Sequence, residues 1–154
     1  MAFNASFALG PFTVDSSGRL APCGPDSSPA FLFRWRDRLV RARINQPDAA
    51  EGRLSLQVAL GRVPSSVRTS AARPDSFSLV RLMAHEFPQD WRVRLLPDHR
   101  VRLEAEASLT LPITAVALLV EVTRFLLALA PYLDMVDERG MAVPVPAAAG
   151  NAKT

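Results

Sequence analysis

Apolar and polar residues alternate along most of this chain, and where the alternation stops a long apolar run begins. From Trp91 the sequence reads WRVRLLPDHRVRLEAEASL, two short runs in which every second residue is apolar. Trp91, Val93 and Leu95 share one parity; Val101, Leu103, Ala105, Ala107 and Leu109 form the matching set. This is the pattern of a β-hairpin with one buried face. Only an odd-length loop keeps both sets inward, because a one-residue slip turns one of them out. A three-residue loop, Asp98-His99-Arg100, sets Arg94 opposite Glu104 and Arg92 opposite Glu106. Such cross-strand pairs contribute about 0.2–1 kcal/mol each. A five-residue loop would instead set Arg94 against Arg102, so the three-residue loop is expected, with Pro97 at the hinge.

The apolar run TLPITAVALLVEVTRFLLALAPYLDMV follows, broken only by Glu121 and Arg124 before Asp134. It predicts a long helix with Thr110 as N-cap and Pro112 in the first turn. Pro131 is expected to bend or end it, since it removes the bond to the Leu127 carbonyl. A membrane span needs roughly 18 or more uncharged apolar residues, and Glu121 and Arg124 divide the run into stretches of about half that length. The segment therefore reads as a buried helix of a soluble domain. Its apolar surplus exceeds what one sheet face covers, which points to a dimer.

Upstream, the pattern predicts the rest of a sheet. Residues 12–22 (FTVDSSGRLAP) form a hairpin candidate turning at Asp15-Ser16-Ser17-Gly18, with Gly18 suited to positive φ. A Pro/Ser/Gly-rich loop at 22–29 follows. FLFRWRDRLVRARI, residues 31–44, is a strand pair with Phe31, Phe33 and Trp35 matched by Val40, Ala42 and Ile44 across a turn at Asp37-Arg38. That register sets Arg34 opposite Arg41. After a loop at 45–52, residues 53–60 turn Leu54, Leu56, Val58 and Leu60 inward. Residues 61–74 read as an irregular connector. Asp75 or Ser76 then caps a helix to about Phe87, with Phe77, Val80, Met83, Ala84 and Phe87 on one side and Pro88 stopping it. The fold class is α+β: an antiparallel sheet with a mid-chain helix and a long apolar C-terminal helix packed on one face. Residues 1–136 make a single domain, and the Pro/Ala-rich 137–154 is expected to be a disordered tail.

Charge adds one feature. Seventeen of the eighteen basic residues are arginine, and Lys153 is the lysine. Residues 1–73 carry ten basic and five acidic side chains, and residues 74–154 carry eight and ten, so the basic excess lies in the first half. Its centre is the cluster Arg34, Arg36, Arg38, Arg41 and Arg43. Arg34, Arg36, Arg41 and Arg43 are the candidate partner-binding residues. Arginines on an outer strand also discourage edge-to-edge aggregation. The alternative reading is a basic nucleic-acid-associated protein that binds through the Arg-rich hairpin 34–43; against it, Phe31, Phe33 and Trp35 have inward parity, so no stacking platform accompanies the arginines.

Catalytic and metal patterns are missing from the sequence. His85-Glu86 starts like a zinc-protease helix, but Gln89 stands where the second histidine belongs. His99 falls at a hairpin tip. Cys23 has no base placed beside it by any pattern, and the seven glycines are scattered singly. The expectation is a non-enzymatic protein with no metal and no cofactor. A single cysteine excludes an internal disulfide, and the first twelve residues lack a signal-peptide pattern, so a cytoplasmic location is expected.

From Phe77 to Val136 the order of helix, hairpin and long apolar helix resembles the type III secretion chaperone-like fold. So do the opening Leu109-x-Leu111-Pro112 and the late Arg124-Phe125-Leu126. The resemblance implies a small α+β homodimer that binds another protein without a cofactor. Members of that superfamily usually open with a helix, and its secretion chaperones are typically acidic; this chain opens on extended segments and is basic.

Overall fold

The computed structural model describes residues 6–24, 28–46, 50–64 and 72–141, with side chains from residue 75 onward in the last segment. Parts of the predicted loops at 22–29 and 45–52, part of the connector at 61–74, and residues 142–154 of the predicted tail lie outside the described residues. The architecture is α+β, with two antiparallel sheets and two helices among the described residues.

The larger sheet holds strands β4 (Ala30–Trp35), β5 (Arg38–Asn45), β6 (Glu51–Arg62), β7 (Trp91–Leu95) and β8 (Arg100–Thr110) in the order β4-β5-β6-β8-β7. Its inner face follows the predicted alternation except on the edge strand β7, where Leu95, expected inward, is 47% exposed. Val40, Ala42, Ile44, Leu54, Leu56, Val58, Leu60, Val101, Leu103 and Ala105 are all buried. A second sheet, β1 (Phe7–Leu9), β2 (Phe12–Val14) and β3 (Leu20–Pro22), was not expected as a separate unit. The predicted turn between β2 and β3 is present, with Gly18 at φ +78°. The Asp15 carboxylate closes it by accepting from the Ser17 N–H (2.8 Å), the Ser17 hydroxyl (2.6 Å) and the Arg19 N–H (3.0 Å). Those hydrogen bonds, the Ser17 hydroxyl first, hold the Asp15 pKa below its ordinary value despite a small opposing effect of burial.

Both hairpin registers of the large sheet differ from expectation. The β4–β5 turn is Arg36-Asp37, both at positive φ, rather than Asp37-Arg38. This type I′ geometry suits the twist of a two-residue hairpin. Arg34 therefore faces Leu39, and Arg41 faces Leu32. The shift is two residues, so the inward parity survives, but Arg38 joins the inward set. In the β7–β8 hairpin Arg94 lies opposite Arg102 and Arg92 opposite Glu104, which overturns the Asp98-His99-Arg100 loop. Pro97 explains the choice. It occupies the second position of a turn in which the His99 N–H bonds to the Leu96 carbonyl (2.9 Å), with His99 at φ +64°. The Leu96 N–H then reaches the Arg100 carbonyl at 2.8 Å. Arg94 still meets Glu104, diagonally, at 3.3 Å, and Arg102 meets the other oxygen of the same carboxylate at 2.8 Å.

Helix α1 (Ala72–Glu86) starts before the predicted cap and buries Ser76, Leu79 and Met83. Ala84, expected inward, is exposed. Helix α2 (Ala115–Glu138) is capped by Thr114, whose hydroxyl accepts from the Ala117 N–H at 3.1 Å. Thr110 instead ends β8, and Pro112 precedes the helix after a cis peptide bond. Pro131 does not end α2. Pro131 and Leu127 both lie on the exposed side, where solvent can satisfy the freed carbonyl. The helix passes the predicted boundary at Val136, and Met141 beyond it packs in the core.

Candidate functional site

Two surfaces offer themselves for binding, one apolar and one basic. The apolar one begins with how α2 is seated. Leu118, Val122, Phe125, Leu129, Leu133 and Val136 recur at three- and four-residue spacing and are buried against the sheets. Phe125 and Tyr132 close the far end by packing with Phe87 and Trp91, and the Tyr132 hydroxyl donates to the Glu86 carbonyl at 3.0 Å. The opposite side of the helix is also apolar. Val116, Leu119 and Leu127 are 72%, 65% and 68% exposed, and Val120 is exposed beside them. Glu121 and Arg124 pair with each other at 3.0 Å on a third side, which leaves that stripe free of charge. The helix read as buried with an apolar surplus is buried along one side only, and 28% of its most apolar stretch is covered. By length and composition alone, α2 could cross a membrane.

The small sheet turns this exposed side into a groove. The Leu20 N–H donates to the Ile113 carbonyl, and the Ala115 N–H to the Gly18 carbonyl, both at 2.9 Å. These bonds fix β3 against the entry to α2. Phe12 of β2 meets Phe31 of β4 edge to face, with ring centres 6.2 Å apart. The result is a groove of about 620 Å³ whose walls are Leu9 and Phe12, Phe31 and Phe33, and Leu119 and Val122. Charged side chains do not line it. No sequence signal announced it, because its walls come from elements a hundred residues apart.

The basic surface is the outer face of the large sheet. Of the four predicted partner-binding arginines, the structure brings Arg34, Arg41 and Arg43 onto that face. Arg36 it does not. From the β4–β5 turn its guanidinium donates to the Ala130 carbonyl (3.2 Å) and pairs with Asp134 (2.5 Å) and, more distantly, Asp137 (3.5 Å). It also lies over the Trp35 ring. Arg36 is thus a tie between the turn and the end of α2.

Arg38, which the sequence reading placed in a turn, is 2% exposed. Leu60 is skipped where β6 bulges against β8, between the pairs Ala59↔Arg102 and Gly61↔Val101. Arg38 Nε donates to the Leu60 carbonyl at 2.9 Å, and its Nη2 pairs with Asp137 at 2.6 Å. A buried charge needs both kinds of partner.

His85 is exposed in the last turn of α1, and Cys23 is exposed. Among the described residues no three His, Cys, Asp or Glu side chains gather as metal ligands would. Neither a family model, a curated protein nor a solved structure matches this chain.

Proposed function

We propose that the chain is a non-enzymatic, chaperone-like protein-binding module that acts as a homodimer, as its resemblance to the type III secretion chaperone-like fold implies. One observation carries this reading: the groove and the exposed stripe of α2 form an apolar surface with Leu119 common to both. Contiguous apolar surface of this kind marks interaction sites in soluble proteins. A leucine moved from water into an apolar contact contributes about 1.5–3 kcal/mol when fully buried, so covering this surface favours association. Nucleic acid fits the groove poorly, since its walls carry no cation to meet a phosphate.

The test is affinity capture from native lysate with the chain as bait. A discrete protein in stoichiometric amount is expected, and it should be lost when Leu119→Asp places a charge in the groove. Recovery of nucleic acid alone, or partition of the chain into membranes through α2, would remove the proposal.

A further inference from the structure

The outer face of the large sheet divides by charge. Toward β8 and β7 most of the arginines are matched, Arg92 being the exception among the described residues. Arg94 and Arg102 share Glu104, Arg53 reaches Glu106 at 3.7 Å, and Arg100 pairs with Asp98 in the hairpin loop. Toward β4 and β5 the matching stops. Among the described residues, no ion pair reaches Arg34, Arg41 or Arg43.

Arg41 and Arg43 occupy alternate positions of β5, directly opposite Gln57 and Ser55 of β6. With Asn45 these side chains line a cleft of about 280 Å³ that contains no carboxylate. Alternate residues of a strand stand about 6.6 Å apart and neighbouring strands about 4.8 Å, so both guanidinium groups can reach one point above the β5–β6 ladder. Asn45 is oriented from behind: the Ser28 hydroxyl donates to its Oδ1 at 2.9 Å. Its Nδ2 donates in turn to the Ser55 Oγ at 3.4 Å. The Ser55 hydroxyl accepts in that bond and keeps its own hydrogen to donate.

We propose that this cleft binds a phosphate group. Two guanidinium forks, the Ser55 hydroxyl and the Gln57 amide supply more donors than the two oxygens of a carboxylate can accept. They suit a tetrahedral group with three or four acceptor oxygens. The cleft is flanked on this face by Leu32 of β4 and, across β6, by Glu104 and Glu106 of β8, whose carboxylates are engaged by Arg94, Arg102 and Arg53, while Phe31, Phe33 and Trp35 have the opposite parity. With no ring to stack on, recognition stops at the phosphate and does not extend to a base. The cleft lies on the opposite face of the sheet from the apolar groove, so it stands or falls separately from the protein-binding reading.

Titration of the full chain with inorganic phosphate, at ionic strength held constant with chloride, tests the assignment by two-dimensional NMR. Saturable shifts are expected at the amides of Arg41, Arg43, Ser55 and Gln57. The variant R41Q/R43Q, with both changes on exposed side chains, should weaken binding about tenfold or more. R94Q, on the same face, should leave it unchanged. A phosphate monoester, a single-stranded oligonucleotide and a Glu-rich peptide of equal charge then separate the sources. Preference for the monoester identifies a small phosphorylated ligand, and preference for the oligonucleotide identifies a phosphodiester backbone; both keep the phosphate chemistry. Tighter binding of the peptide, shifts spread without saturation over Arg92, Arg94 and Arg102, or unchanged affinity in R41Q/R43Q would overturn it.

Discussion

Arg38 shows how one residue can hold three elements. Its guanidinium sits where β5 meets the β6 bulge, covers the Leu60 carbonyl, and reaches Asp137 near the end of α2. Breaking a buried ion pair by removing one partner costs about 3–5 kcal/mol. Asp137 is partly exposed, so its charge can be resolvated and the loss should be smaller. Arg38→Ala is expected to lower stability by roughly 2–3 kcal/mol, read from the denaturant midpoint. Asp137→Asn should cost at least as much, because it leaves the buried Arg38 guanidinium without a counter-charge. An Arg38→Ala protein as stable as the parent would show that the pair does not hold the turn to α2. Asp15 makes a second single-residue case. Its pKa is lowered on folding, chiefly by the Ser17 hydroxyl. Its contribution to stability is thus present above the unfolded value and is lost as pH falls through the lower folded value. Asp15 should titrate below 3.8 by NMR, and Ser17→Ala should move its midpoint up toward that value.

At the scale of elements, the β7–β8 hairpin separates what a pattern can convey from what it cannot. Parity was legible: Val93, Val101, Leu103 and Ala105 face inward under either register. Register was not, because shifting by two residues preserves parity and changes only which charges meet. The cross-strand charge argument favoured facing Arg–Glu pairs. The turn chemistry of Pro97 favoured the other register, and the turn prevailed. The β4–β5 hairpin repeats the lesson, with Arg36-Asp37 taking the turn and Arg38 drawn inward. Arg38 shares parity with Val40 and Ala42, a signal present in the sequence, but its partner Asp137 lies 99 residues away. Contacts at that separation, like the walls of the groove, leave no local trace. The observed register makes its own prediction. Glu104 alone separates the facing Arg94 and Arg102, and Arg102 Nε is buried without a hydrogen-bond partner among the described residues. Glu104→Gln should destabilise by about 1 kcal/mol, since like charges directly across a ladder repel. Adding Arg94→Gln should recover part of that loss. A double-mutant cycle with no coupling would remove the shared-carboxylate account.

For the whole molecule, the decisive feature is a helix with two apolar sides, of which the sheets cover one. The buried side of α2 is anchored by Leu129, Leu133 and Val136, none of which is accessible to solvent. A bilayer span would require α2 to give up this packing, whereas association covers the outer stripe and leaves the packing in place. Leu119 and Leu127 are each about two-thirds exposed, so covering them contributes roughly 1–2 kcal/mol per side chain. Val116 and Val120 add to this along the same stripe. A stable interface takes about 800 Å² from each partner, more than one helical stripe supplies, so part of the groove rim must take part as well. Light scattering after size exclusion should therefore give about twice the 16.8 kDa chain mass at micromolar concentration. The double variant L119D/L127D changes only exposed positions; it should be monomeric with its unfolding midpoint retained. A parent chain that stays monomeric across the concentration range would leave the stripe to a different partner and withdraw the homodimer.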